Sequence, residues 1–80
     1  MYVYRLKSLV EKDRYYVGLT DNVERRLAEH NEGQTYSTRD SRLWKCVSTF
    51  WFENADIAER FEKYLKSGSG RAFSKRHFDH

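Results

Sequence analysis

The stretch from Tyr15 to Gly33 limits most sharply what this chain can fold into. It begins with Tyr15-Tyr16-Val17-Gly18-Leu19, an aromatic and β-branched run of the kind strands favour. It passes at once into Thr20-Asp21-Asn22-Val23-Glu24. Here Asp21 can accept a backbone N–H at a helix start, and Glu24 stands three residues on, as in a capping box. Val23 and Leu27 are four apart and share one face of the predicted helix. Arg26 and His30 are also four apart and share another. Asn31 and Gly33 supply a C-terminal stop. A strand tyrosine is thereby set beside a helix that displays a guanidinium and an imidazole.

The same patterns extend in both directions. Tyr2-Val3-Tyr4-Arg5-Leu6 alternates, with Tyr2, Tyr4 and Leu6 on one face, and reads as a first strand. Residues 8–14 form a polar connection of hairpin length, so Tyr15 to Thr20 returns antiparallel to it. Gly18 is costly inside a strand unless something must approach the backbone closely. After a helix over residues 22–31, the polar residues 32–42 read as a loop with one helical turn near residues 36–39. Leu43 to Phe52 is the third strand, and consecutive Phe50, Trp51 and Phe52 predict that both its faces are covered.

Asn54 is the expected N-cap of a helix over residues 55–67. Its apolar stripe is Ile57, Ala58, Phe61, Tyr64 and Leu65. Glu62 borders that stripe, where a carboxylate can look into a cleft. Gly68 is read as the stop of this helix. A short last helix over residues 71–77 follows, with Phe73 and Phe78 turned toward the body and His77 and His80 in the tail. The order β-β-α-β-α-α implies an α/β (α+β) domain with a small antiparallel sheet.

Composition narrows the function classes. Eighty residues make one small domain, residues 1–80, whose thin core must lean on its two Trp, six Tyr and five Phe. The net charge of +3 is modest, but Lys63, Lys66, Arg71, Lys75 and Arg76 fall in a stretch free of acids. That stretch is either a solvated face or a phosphate-facing patch. The single Cys46 cannot form an internal disulfide and reads as a small core residue. Arg5 and Lys7 interrupt the only early apolar stretch, and no run is long enough to span a membrane, so the expected setting is cytoplasmic. One Cys and three His without ligand spacing exclude a structural zinc site. Gly68-Ser69-Gly70-Arg71 lacks the ending of a nucleotide-binding loop, and no nucleophilic serine motif is present.

Two strand tyrosines, a helical arginine with a nearby histidine, a cleft-edge glutamate and a basic tail remain. Taken singly, each has an ordinary reading: core aromatics, a solvated arginine, a histidine that complements the helix dipole, and a glutamate paired with Arg60, Lys63 or Lys66. Taken together they suit phosphodiester chemistry, which needs a proton acceptor, a cation for the phosphate and a hard oxygen ligand for a divalent metal.

The ordered set resembles the GIY-YIG nuclease superfamily, most closely its small stand-alone bacterial members. Tyr2-Val3-Tyr4 stands at the first tripeptide and Tyr16-Val17-Gly18 at the second. The helix carrying Arg26, Leu27 and His30 is similar to the family's Thr…Arg-Leu…His segment. Glu62-Lys63-Tyr64-Leu65-Lys66, followed by Gly68-Ser69-Gly70-Arg71, resembles the glutamate-bearing helix and turn. Tyr2 replaces the name-giving Gly, Leu19 stands where some relatives carry lysine, and Lys75-Arg76-His77 occupies a region where many have asparagine.

The resemblance implies a three-stranded antiparallel sheet flanked by helices and a DNA endonuclease using one Mg²⁺ or Mn²⁺ ion. By position, Glu62 would hold the metal and Arg26 would stabilise the scissile phosphate. Tyr4 and Tyr16 would frame the attacking water, one of them as proton acceptor, with His30 assisting. Lys63, Lys66, Ser69, Arg71, Lys75 and Arg76 are the candidate nucleic-acid contacts. Structure-specific cleavage in DNA repair or recombination fits so small a chain, with a protein partner or homo-oligomer supplying substrate choice. The alternatives are a catalytically weak nucleic-acid-binding module of the same fold and a protein-interaction domain.

Overall fold

A computed structural model describes residues 1–79; His80, assigned to the tail from sequence, lies outside the described residues. Three antiparallel strands, β1 (Tyr2–Ser8), β2 (Tyr15–Thr20) and β3 (Trp44–Trp51), form a sheet in the order β2-β1-β3. Helix α1 (Val23–Asn31) follows β2, a 3-10 turn spans Arg39–Ser41, and α2 (Ala55–Lys66) and α3 (Gly68–His77) follow β3. The predicted order and antiparallel sheet are both present.

Side chains alternate across a sheet, and the β1–β2 register sorts them. Tyr4 lies opposite Gly18 and Leu6 opposite Tyr16, on the face that α1 covers; Val3 lies opposite Leu19 and Arg5 opposite Val17, on the face that α2 and α3 cover. On the first face Tyr4, Leu6 and Trp44 pack with Val23 and Leu27. On the second, Val3, Ala58 and Leu65 pack with Phe50, Phe52 and Phe61. The central strand is therefore buried on both sides, including Arg5, which is 2% exposed.

Local details depart from the sequence reading. Asn22, not Asp21, caps α1 by accepting from Arg25 N–H, while Asp21 pairs with the Arg25 guanidinium at 2.6 Å. The helical turn in the following loop falls at Arg39–Ser41, later than expected. Phe50 and Phe52 pack on Phe61, but Trp51 is exposed beside Tyr2, so only one face of that end of β3 is covered. Ile57 and Tyr64 sit at the exposed margins of the α2 stripe. Phe78 does reach the body, with its ring 5.7 Å from Phe50.

Gly68 does not merely stop α2; it opens α3. Ser67 serves both helices, ending one and capping the other by accepting from Gly70 N–H. Gly70 allows the sharp junction, since a Cβ there would fall 1.8 Å from the Tyr64 carbonyl oxygen.

Candidate active site

The site forms where α1 crosses the Tyr4 face of the sheet. Tyr4 Oη lies 2.8 Å from His30 Nε2, and His30 Nδ1 lies 2.7 Å from Thr38 Oγ1. Thr38 Oγ1 donates to the Thr35 carbonyl at 3.4 Å. Its oxygen is then left to accept from His30 Nδ1–H, which leaves Nε2 to accept the Tyr4 proton. All three side chains are buried. Burial holds the imidazole neutral, with its pKa pushed down to about 4, and the Arg26 charge pushes the same way. Burial also pushes the Tyr4 phenol up to about 12, with Tyr16 adding to the rise and Arg26 opposing it.

Tyr16 completes the wall. Its ring centroid lies 6.2 Å from that of Tyr4 and 4.8 Å from that of His30, and it is half-buried. Arg26 stands beside the two phenols from the helix side. Glu29 holds its guanidinium at 2.9 Å, and that pairing raises the Arg26 pKa further. The arginine keeps 30% of its side chain exposed, so a fixed positive charge borders the tyrosines within reach of solvent.

Glu62 arrives from the other side of the sheet. Helix α2 packs on the opposite face, but β2 is an edge strand, and the Lys66 ammonium bridges its margin. Lys66 Nζ lies 2.5 Å from Glu62 Oε2 and 5.9 Å from the centre of the Tyr16 ring. The Glu62 side chain is 13% exposed. Tyr4, Tyr16, Arg26 and His30 thus form one cluster, and Glu62 is joined to its rim through Lys66.

The donor set limits what metal this rim can hold. Among the described residues, no three His, Cys, Asp or Glu side chains converge. One carboxylate fits a hard divalent ion that keeps most of its water and takes further oxygen ligands from a phosphate. It does not fit a metal caged by protein alone. Lys66 occupies that carboxylate and must yield it to such an ion.

The predicted nucleic-acid contacts do not form one patch. Lys63 is paired with Glu59 and Lys66 with Glu62. Arg71 and Lys75 line a cleft of about 510 Å³ on the α2–α3 face, while Ser69 and Arg76 line a separate hollow of about 350 Å³. Sequence reasoning missed Thr38 and Glu29, which fix His30 and Arg26; the i,i+3 spacing from Arg26 marks Glu29, while no spacing signal marks Thr38. Gly18 did carry a signal. A Cβ there would meet Tyr4 Oη at 2.5 Å, so the bare strand position admits the tyrosine ring.

The family profile described as the GIY-YIG catalytic domain matches residues 1–76. A curated relative, structure-specific endonuclease subunit SLX1 of Debaryomyces hansenii, is 34% identical over 71 residues, covering 80% of this chain and 20% of its own length. The chain therefore spans about a fifth of that relative. No solved structure gives a significant match. Among the described residues, no helix is long and apolar enough to cross a membrane.

Proposed function

The chain belongs to the GIY-YIG catalytic-domain family, and from that premise we propose that it is a metal-dependent endonuclease hydrolysing DNA phosphodiester bonds. The observation that carries this reading is the meeting of Tyr16, Arg26 and the Tyr4–His30 pair at one rim, with Glu62 tied to the same tyrosine through Lys66. Arg26 suits the non-bridging oxygens of a phosphate, because its planar fork offers two parallel donors. Its partner Glu29 keeps it in place before substrate arrives.

Tyr4 and Tyr16 divide the work. The Tyr4 proton is held by a buried neutral imidazole, and its high pKa keeps it a neutral phenol with almost no phenolate to accept a proton, so it supports the wall. Tyr16 is half-buried at the rim and is the phenol that an attacking water can approach. Glu62 is the residue that would hold one Mg²⁺ or Mn²⁺; the bound ion would supply charge neutralisation at the phosphate and a more acidic water. The expected products carry a 5′-phosphate and a 3′-hydroxyl.

The printed name of the SLX1 relative describes a subunit of a structure-specific endonuclease. We extend both ideas to this chain: cleavage at branched DNA, in repair or recombination, with a protein partner or a second copy refining substrate choice. A cytoplasmic location completes the reading.

Purified protein incubated with labelled branched, nicked and linear DNA and either metal tests it. Cleavage should require metal, and Glu62→Ala should abolish it. Arg26→Ala should slow it about a hundred- to a thousand-fold, the usual loss for one preorganised charge stabiliser. Salt-sensitive binding without cleavage would instead identify a nucleic-acid-binding module that has lost catalysis.

A further inference from the structure

A cleft of about 510 Å³ lies behind the candidate active site, on the opposite face of the sheet. Its walls include Arg5, Arg14, Arg71 and Lys75, four cations against the carboxylates of Asp13 and Asp79. Tyr15 lines it from β2 and stacks under the Arg5 guanidinium, 5.3 Å from ring centre to Cζ. Arg5 is the unusual member. It is 2% exposed in the middle of the central strand, yet lines the cleft, and among the described residues it donates to Ser48 Oγ at 3.2 Å and Asp79 Oδ2 at 2.5 Å.

A buried guanidinium needs an anionic partner, and here that partner comes from the last described residue rather than from the sheet. Asp79 thus stands where a phosphate oxygen would stand. The cleft keeps an excess of positive charge even with both carboxylates in place.

Its position gives the ligand. Tyr15 faces this cleft and Tyr16, the next residue of the same edge strand, faces the candidate active site. β2 has no strand beyond it. A chain of phosphates leaving the Tyr16–Arg26 rim can pass over the β2 edge and enter the cleft directly. At about 510 Å³ the cleft has the size of a small-ligand pocket and is too small for a double helix. We propose that the Arg5–Arg14–Arg71–Lys75 cleft binds the phosphodiester backbone of a single-stranded DNA arm of a branched substrate, with Asp79 as the resident anion that the arm displaces from Arg5. This assignment of the strand rests on the nuclease reading, whereas the affinity of the cleft for single-stranded DNA does not.

The test uses the full chain carrying Glu62→Gln, so that binding is read without cleavage. Fluorescence anisotropy compares a forked duplex bearing one single-stranded arm with the same duplex blunt-ended, across a salt series. Arg71→Ala/Lys75→Ala should weaken binding of the forked DNA by about tenfold or more and reduce its salt slope by about 1.4, the counterion release of two single-strand phosphate contacts. Blunt duplex affinity should change far less. Lys45→Ala/Arg60→Ala removes the same charge outside the cleft and should keep the preference for the fork. Asp79→Asn should tighten the forked complex. Equal loss of fork preference in both double variants, or no loss in either, overturns the proposal. Inorganic phosphate that binds the parent but not Arg71→Ala/Lys75→Ala, while the preference for the fork is the same in both, also overturns it, in favour of a free-phosphate site. If Glu62-intact protein fails to cut any DNA while the fork preference still depends on Arg71 and Lys75, the nuclease reading falls and the cleft stands.

Discussion

Tyr4 donates its hydroxyl proton to His30 Nε2 at 2.8 Å, in a place where neither side chain reaches solvent. This single contact separates the roles of two tyrosines that the sequence leaves equivalent. Tyr4→Phe keeps the ring in its slot but leaves the imidazole nitrogen without a partner, which should cost about 1–3 kcal/mol of stability. Tyr16→Phe removes a half-exposed hydroxyl and should leave the denaturant midpoint nearly unchanged. In single-turnover cleavage the order should reverse, with Tyr16→Phe the slower of the two. A Tyr4→Phe variant that folds normally and is the slower enzyme would move the proton-accepting role to Tyr4.

The same imidazole gives the fold an acid limit. His30 has its pKa lowered from 6.5 to about 4 by burial and by Arg26. Between those values the unfolded chain binds a proton that the folded chain refuses, so stability rises with pH across the window. The contribution is complete above about pH 6.5 and is lost as pH falls toward 4, at up to about 1.4 kcal/mol per unit. Urea midpoints measured from pH 4 to 7.5 should slope accordingly. His30→Gln, which can still bond Tyr4, should flatten that slope even if it lowers the whole curve.

Gly18 and Tyr4 form a second coupled pair. Adding a methyl group at residue 18 places it 2.5 Å from Tyr4 Oη and 2.6 Å from Cζ, and the ring cannot swing aside without breaking its bond to His30. Gly18→Ala should therefore destabilise by about 1–3 kcal/mol, against the small gain usual for alanine in a strand. In a Tyr4→Ala background the same substitution has nothing to strike and should be neutral or stabilising. Chemical denaturation of the four proteins in the cycle reads the coupling directly.

These pairs show which parts of the molecule were legible from sequence. The strand–helix unit, the α2 stripe and the cap at Asn54 rest on local periodicity and capping chemistry, and they are present. The capping residue of α1 is displaced by one position because Asp21 and Asn22 are both competent acceptors, and Asp21 is engaged by Arg25. Arg5 was illegible. Alternation along β1 marks it as the outward, polar position, but both faces of the central strand are covered, and its counter-charge comes from Asp79, 74 residues away. His30 is a candidate site residue from sequence, but its helix-end position suggests a dipole partner rather than a buried acceptor behind Tyr4. Its orientation depends on Thr38, in a loop with no periodicity. The basic residues of α3 stand out together in the sequence, and their division between two hollows follows helical spacing: Arg71 and Lys75 are four apart on one face, and Ser69 and Arg76 are seven apart on another.

Lys66 and Glu62 give the sharpest test of how a metal would enter. They are one helical turn apart and in contact at 2.5 Å from Nζ to Oε2, so the ammonium occupies the carboxylate that the proposed ion requires. Any divalent cation must displace it, and apparent metal affinity is lowered by whatever the pair is worth. Glu62 is 13% exposed but Lys66 is about half exposed, so solvent screens the pair, which contributes on the order of 1 kcal/mol. Lys66→Met preserves the aliphatic stem beside Tyr16 and removes the charge. It should lower the Mn²⁺ concentration for half-saturation up to about fivefold, read by calorimetric titration of the protein without DNA. With DNA present a second effect enters, because an ammonium released by the ion stands next to the Tyr16 ring and can meet a phosphate. Lys66→Met should then bind metal more tightly and DNA more weakly. Glu62→Gln should remove metal binding whether residue 66 is Lys or Met. Weaker metal binding in Lys66→Met would mean that the lysine orients the carboxylate instead of competing for it.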